Sequence, residues 1–229
     1  MKIGEVLNKC IDVVSKNPVI LVPYAIPALI QLMVGLYWVA RVPFWEDFLE
    51  PGAPMTPEEA SRYAQSVFEN IIPAASASGL LGIVSWLFTV VATAMAIAIT
   101  MNYLKNKKTG LSEAFNMVSG KLIILVIAVF ITTILTILGF CAIIIGAIIV
   151  AILLAFVPQG IVVDKLGFDS FSKSYNIAKS NFFDVLLVLA VFFIAGAIVG
   201  LIPWIGSALA EFVGAFSAAA LTILYQDRK

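Results

Sequence analysis

The sequence contains no histidine, only two cysteines, and as many acidic as basic residues, 14 of each. Missing histidine removes the commonest metal ligand and the commonest general base. Cys10 lies in a polar segment and Cys141 in an apolar run, so the pair does not read as a disulfide. A chain with no basic surplus has little with which to neutralise a phosphate backbone, which argues against a nucleic-acid partner. The sequence holds no Walker loop, no HExxH, no CxxC and no GxSxG, and no N-x-[ST] glycosylation acceptor. These absences point to a protein that is not an enzyme, with no cofactor and no metal site.

Charge is also scarce, at 12% of residues, while 62% are hydrophobic. Soluble domains are about half apolar and about a quarter charged. A mean hydropathy of +1.05 therefore predicts an integral membrane protein. A bilayer core needs about 20 apolar residues per helix. Residues 18–40 and 74–104 each supply one span. Residues 122–163 supply two, with a turn expected near Gly139–Phe140, and 182–202 and 206–225 complete the set of six. The N-terminal run has full transmembrane length and no small-residue cleavage site after it, so it reads as a retained span. All 14 basic residues except Arg41 and Arg62 fall on one side of these spans. The positive-inside rule then puts both termini in the cytoplasm of a multi-pass protein of the cell (plasma) membrane.

A pattern recurs along the chain. With Asn17 set against Asn181, Leu7 meets Phe171, Lys9 meets Lys173, Ile11 meets Tyr175 and Val13 meets Ile177. A third copy places Phe115 in the Tyr175 column and Asn116 opposite Asn176, with Leu111 and Met117 in apolar columns. Each copy reads as a short amphipathic helix followed by one span out and one span back. The expected fold is all-α: one membrane domain over 1–229, built of three repeated hairpins. The repeats cover 4–104 (with an outside loop at 41–73), 110–163 and 168–225. Phe171, Tyr175 and Ala178 recur at helical spacing, which predicts one face of a helix lying in the membrane interface. Phe171 and Tyr175 are its expected anchors.

The outside loop is acidic, with Glu46, Asp47, Glu50, Glu58, Glu59 and Glu69 against two arginines. Phe44, Trp45 and Phe48 read as an aromatic belt at the outer interface. Thr56 as a cap and Pro57 in the first turn predict a separate helix, resting on the membrane through Tyr63, Val67 and Ile71.

The stretch "FVPQGIVVDKLG" followed by "DSFSKSYNIAKSNFFDVLLV" resembles the membrane domain associated with glycerophosphodiester phosphodiesterases and related small six-span bacterial and archaeal proteins. The positions carrying the likeness are Pro158, Val162, Val163, Asp164, Tyr175, Lys179, Asn181 and Phe182. The resemblance implies a six-span fold. The soluble phosphodiesterase domain is not in this sequence, and the likeness implies no active site here.

Within the spans, Glu211 is a carboxylate in an apolar segment. It reads either as an ion, proton or substrate contact, or as an acid near the interface favoured by the helix dipole. Gln31 is a second candidate contact. Thr132, Thr133 and Thr136 are expected to bond their own helix backbone. Gly206, Ala210 and Gly214, with Gly196 and Gly200, form small-residue stripes that let helices approach closely, within the chain or between copies. Pro23 and Pro27 should disturb the first span. Two functions follow from these features. The first is a non-catalytic accessory, scaffold or lipid-organising protein, with membrane lipids and a membrane protein or a second copy as partners. The alternative is a small transporter or channel with a cavity between the repeats and Glu211 as its ion or proton site.

Overall fold

The computed structural model describes residues 1–41, 56–142 and 144–229. Among the described residues the regular structure is helical: α1 (Ile3–Lys16), a 3₁₀ segment (Pro18–Tyr24), α2 (Ala25–Arg41), α3 (Pro57–Leu104), α4 (Leu111–Ser119), α5 (Leu122–Ala142), α6 (Ile144–Leu153), α7 (Val157–Val163), α8 (Asp169–Ser180), α9 (Phe182–Gly200) and α10 (Gly206–Arg228). Six stretches are long and apolar enough to cross a membrane: Pro18–Trp38, Ala75–Leu104, Leu122–Phe140, Ile145–Val163, Phe182–Gly200 and Gly206–Arg228.

The first span opens as a 3₁₀ helix, with Pro18 tolerated at its first position and Pro23 inside it unable to donate to an α ladder. It becomes α-helical at Ala25. α3 differs from the expectation of a separate loop helix and a later span. It runs 48 residues without interruption, through Pro73. At 1.5 Å per residue that is about 72 Å, more than twice a bilayer core. The flanking "ENIIPAASAS" lacks glycine and ends in small helix-tolerant residues, so the proline does not terminate the helix. The tyrosine, valine and isoleucine face expected at 63, 67 and 71 lies outside the described side chains, and Phe44, Trp45 and Phe48 lie outside the described residues.

The turn expected at Gly139–Phe140 comes later. α5 continues to Ala142, and Gly139 packs instead against Gly146 of α6. A Cβ on Gly146 would stand 2.7 Å from the Gly139 carbonyl oxygen. Only glycine allows that approach.

The fourth span is not one helix. α6 ends at Leu153, and α7 begins at Val157 with Pro158 in its first turn. Ser174 of α8 spans the break: its hydroxyl donates to the Leu153 carbonyl at 2.8 Å and accepts the Phe156 backbone N–H at 3.1 Å. Gly160 of α7 lies under Ser170, with an added Cβ 2.9 Å from the Ser170 Cβ. α7 is buried along most of its length.

α10 is the centre of the bundle. It packs on α1, α2, α3 and α9. Alanines dominate its contact faces: Ala92, Ala94, Ala96 and Ala98 on α3 and Ala215, Ala218, Ala219 and Ala220 on α10 are buried. Small side chains bring backbones close where lipid supplies no hydrophobic driving force. α5 and α9 are the opposite case, with Ile123 81% and Phe193 77% exposed. Such surfaces match lipid.

The three short helices α1, α4 and α8 bury small or β-branched residues. These are Val6, Cys10, Val13 and Val14 on α1, Ala114 and Val118 on α4, and Ser170, Ser174 and Ala178 on α8. Ala178 thus faces the core, away from Tyr175, which is exposed. Phe171 is half-buried against the core. The expected common face of Phe171, Tyr175 and Ala178 is split, because Gly160 requires a small partner and α8 turns Ser170 toward it.

The glycines do not act alike. A Cβ on Gly206 would sit 2.6 Å from the Val199 carbonyl oxygen, and one on Gly35 2.8 Å from that of Trp204. Trp204 itself takes a left-handed φ of 68° to make the turn into α10. Cβ atoms on Gly196 and Gly200 would meet nothing within 4 Å. Gly206→Ala is expected to cost about 1–3 kcal/mol by overpacking. Gly196→Ala should be neutral or stabilising by about 0.5–1 kcal/mol, since alanine is the better helix former. Thermal unfolding of both variants in detergent checks the contrast.

Candidate functional site

Along one face of α3 runs a series of hydroxyls: Ser78, Ser85, Thr89 and Thr93. Spacings of seven, four and four residues keep them on one side of a helix. Each meets a polar partner on another span. Trp38 Nε1 donates to Ser78 Oγ at 2.7 Å. Gln31 Nε2 donates to Ser85 Oγ at 3.3 Å, and Ser85 Oγ in turn reaches the Pro27 carbonyl at 3.4 Å. Thr89 Oγ1 contacts Glu211 Oε2 at 3.0 Å. Thr93 Oγ1 and the Tyr24 hydroxyl lie 3.1 Å apart. Gly214, one turn below Glu211 on α10, makes room for the Tyr24 ring, whose Cε1 would be 3.4 Å from a Cβ there.

This seam joins α2, α3 and α10. It brings together the two polar residues singled out from sequence, Gln31 and Glu211. Both are half-buried, and between them Ser85 is 1% exposed. Glu211 stands about 25 Å along α10 from Arg228 and about 7–8 Å from its start at Gly206, taking 1.5 Å per residue. It is therefore nearer the end opposite the charged rim described below. Thr89 contributes a single hydroxyl hydrogen. Yet its oxygen lies 3.0 Å from the Ser85 carbonyl as well as 3.0 Å from Glu211. The Thr89 hydroxyl is thus placed to donate to the Glu211 carboxyl or to the Ser85 carbonyl, or to share its hydrogen between them. Thr89 and Thr93 also line a small cavity of about 150 Å³ with Trp86, Val90, Leu125, Val129 and Pro158.

At the other end of the bundle the charges converge. Asp164, just past α7, accepts hydrogen bonds from Lys173, from the Tyr225 hydroxyl and from Lys229, the last at 3.1 Å. The two lysines also stand over the Tyr225 ring, 5.8 and 5.6 Å from its centroid. Burial alone would push the Asp164 carboxyl up. The donors from Lys173, Tyr225 and Lys229 outweigh it and hold the pKa at about 2. Arg228 pairs with Asp184 at 2.8 Å, so the acid at the start of α9 finds its base on α10. Lys179 instead lies 5.5 Å over the Tyr175 ring.

The remaining sequence candidates have structural places. Ala210, Gly214 and Gly196 line an apolar groove of about 320 Å³ between α9 and α10. Thr132, Thr133 and Thr136 each donate to the carbonyl four residues back at 2.9 Å, as expected. Cys10 donates to the Phe216 carbonyl at 3.1 Å, and burial pushes its thiol up to about 12, so the thiolate is not available. No group of three His, Cys, Asp or Glu is placed to hold a metal ion among the described residues. Sequence reasoning did not single out Ser85, Thr89 or Thr93. Their four-residue spacing inside an apolar run was the available signal. Ser174 and Asp164 carried none as a structural plug or a hub.

With this geometry in view, the chain belongs to the family described as a domain of unknown function, DUF7847, which matches residues 1–225. No curated protein and no solved structure matches. The family match carries no activity, and it does not link the chain to the phosphodiesterase-associated membrane domains.

The Asp164 hub generates a pH prediction. A carboxyl held at about 2 in the folded chain contributes stability that is present above its unfolded pKa of about 3.9. That contribution is lost as pH falls through the folded value. The difference in melting temperature between wild type and Asp164→Asn should be largest above pH ~4 and shrink toward pH ~2. Thermal scans in detergent across that range measure it.

Proposed function

We propose that this protein is a non-catalytic integral membrane protein that organises lipid, or scaffolds a membrane partner, at the inner face of the cell membrane. Both termini are then cytoplasmic. The six spans form three hairpins, and α1, α4 and α8 lie in the interface ahead of them.

One observation carries this reading: the burial pattern of the three short helices falls in the register of the sequence repeat. Aligned positions Cys10, Ala114 and Ser174 are all buried, and so are Val14, Val118 and Ala178. The aligned apolar column of Ile11, Phe115 and Tyr175 is exposed in all three, at 59%, 45% and 42%. The same register continues into the spans, where Leu125 and Val185 are buried, as are Tyr24, Ala128 and Val188. Ahead of α4 and α8 the chain turns through a left-handed residue in each case, Asn106 and Lys165 at φ 58°, one residue out of that register. A helix that anchors by small residues and turns aromatic and aliphatic side chains outward, flanked by lysines, suits the headgroup boundary.

The test is native mass spectrometry of the protein released gently from its own membrane. A stoichiometric lipid or a second protein is the expected result. A chain that emerges with neither contradicts the reading.

A second reading has its own observation, the half-buried Glu211 in contact with Thr89 of a neighbouring span. Ionisable groups at membrane depth mark ion and proton paths by default. On this reading the protein is a small transporter that loads a proton or cation at Glu211. Proteoliposome flux abolished by Glu211→Gln and reduced by Thr89→Val is the expected outcome. Flux unchanged in both variants excludes it.

A further inference from the structure

A second cavity lies at the charged end of the bundle, where the ends of α3 and α7 meet α4 and the link that follows it. It has a volume of about 420 Å³, within the range of small-molecule sites, about 300–1,000 Å³. Its walls are Ala98, Met101, Asn102 and Lys105 from α3 and its end, Met117 from α4, Lys121 from the α4–α5 link, and Val162, Val163 and Lys165 from α7 and its end. Three separate chain segments therefore each bring a lysine to one cavity, and no carboxylate lines it.

The nearest acid in sequence does not compensate these charges. Asp164 is next to Lys165, but its oxygens are taken by Lys173, Tyr225 and Lys229. Lys121 is half-buried and donates to the Val162 carbonyl at 2.8 Å. A neutral carbonyl leaves its charge unbalanced. Burial lowers the Lys121 pKa, and the positive charge of Lys165 lowers it further. Lys165 is itself held in the left-handed region, at φ 58°, which costs a non-glycine residue. The fold thus gathers three lysines around one cavity, Lys121 half-buried and Lys105 and Lys165 exposed at its mouth.

The cavity is also built rather than incidental. Asn102 is buried, and its amide donates to Thr109 Oγ1 at 2.8 Å and contacts the Met117 sulfur at 3.4 Å. These contacts pin α4 against α3 and fix the distance across the opening. The level is informative as well. The apolar stretches of the second, third and fourth spans end or begin at Leu104, Leu122 and Val163. The lysines are one to two residues beyond those limits, where lipid phosphates lie. Ala98, Met101 and Val162 continue the wall into the apolar layer.

We propose that this cavity binds a phosphate-bearing anion, the headgroup of an acidic lipid at the inner membrane surface, held by Lys105, Lys121 and Lys165. Basic pockets between membrane helices on the cytoplasmic side suit such headgroups. The choice of a lipid over a soluble phosphate rests on the lipid-organising reading above. The three-lysine cavity itself does not.

The experiment uses the full chain in micelles doped with equal amounts of phosphatidylglycerol and phosphatidylcholine, read by native mass spectrometry. Wild type should retain one phosphatidylglycerol in preference. Lys121→Gln with Lys165→Gln should lower that retention by about tenfold or more. Lys107→Gln with Lys108→Gln removes the same charge from exposed positions outside the cavity and should leave retention unchanged. A measurement on wild type alone guards against a variant that fails to fold. Phosphatidylglycerol should protect Lys121 and Lys165, and not Lys107, from an amine-acylating reagent. If inorganic phosphate protects the same two lysines and phosphatidylglycerol does not, the site stands and its ligand is a soluble phosphate. Equal losses in the two double variants, or no selective protection by either probe, overturn the site. Lipid retained without dependence on these lysines would sink the site and spare the lipid-organising reading. A chain that retains no lipid, yet shows lysine protection by phosphate, would do the reverse.

Discussion

Inside a bilayer no water is available to satisfy a peptide group, so a break in a spanning helix must be repaired from within the chain. The bond on which this structure depends is that repair. Pro158 interrupts the fourth span, and the Ser174 hydroxyl takes over both loose ends, the Leu153 carbonyl and the Phe156 N–H. The consequence reaches far. α8 must lie against α7, so it cannot float free on the membrane surface. Gly160 must remain glycine for Ser170 to fit beside it. With α7 so placed, Phe156 packs on Tyr225 at 5.5 Å between centroids. Tyr225 then meets Asp164, and the C-terminal end of α10 is tied to the end of α7 and, through Lys173, to α8.

Two polar systems divide the remaining work. The seam on α3 closes α2 and α10 onto that helix at membrane depth, through hydroxyls that cost little to bury because each has a partner. The charged rim does the same with ion pairs, joining Asp164 and Asp184 to bases from other helices. Between them lies a core dominated by alanine, with backbones close enough for dispersion to act in place of the hydrophobic effect. The lysine cavity is the exception, since its cations lack an acidic neighbour in the lining.

Much of this was legible in sequence, for physical reasons. Six apolar stretches must be buried in lipid whatever their neighbours, so the spans read directly. Glu211 and Gln31 stood out because polarity in such a stretch is costly. Their partners did not, because a threonine in a helix ordinarily bonds its own backbone. Thr89 does that and reaches Glu211 as well. Pro158 was visible, but the break it causes depends on Ser174, 18 residues away from Phe156. Likewise the partners of Asp164 on α10 are 61 and 65 residues distant. The uninterrupted α3 was missed because a proline inside a helical pattern reads as a stop, and here it is not one. The glycine stripe was half informative: Gly206 is needed by the backbone it touches, and spacing alone could not separate it from Gly196.

The central claim is that α1, α4 and α8 lie on one face of the membrane at headgroup depth, each anchored by its small residues. Spin labels placed singly at Ile11, Phe115 and Tyr175 in reconstituted protein, with depth read from lipid- and water-soluble relaxation agents, test this most directly. The account predicts the same interfacial depth for all three, on the side where the lysines lie. A label on the opposite face, or one deep in the hydrocarbon or wholly in water, would contradict it.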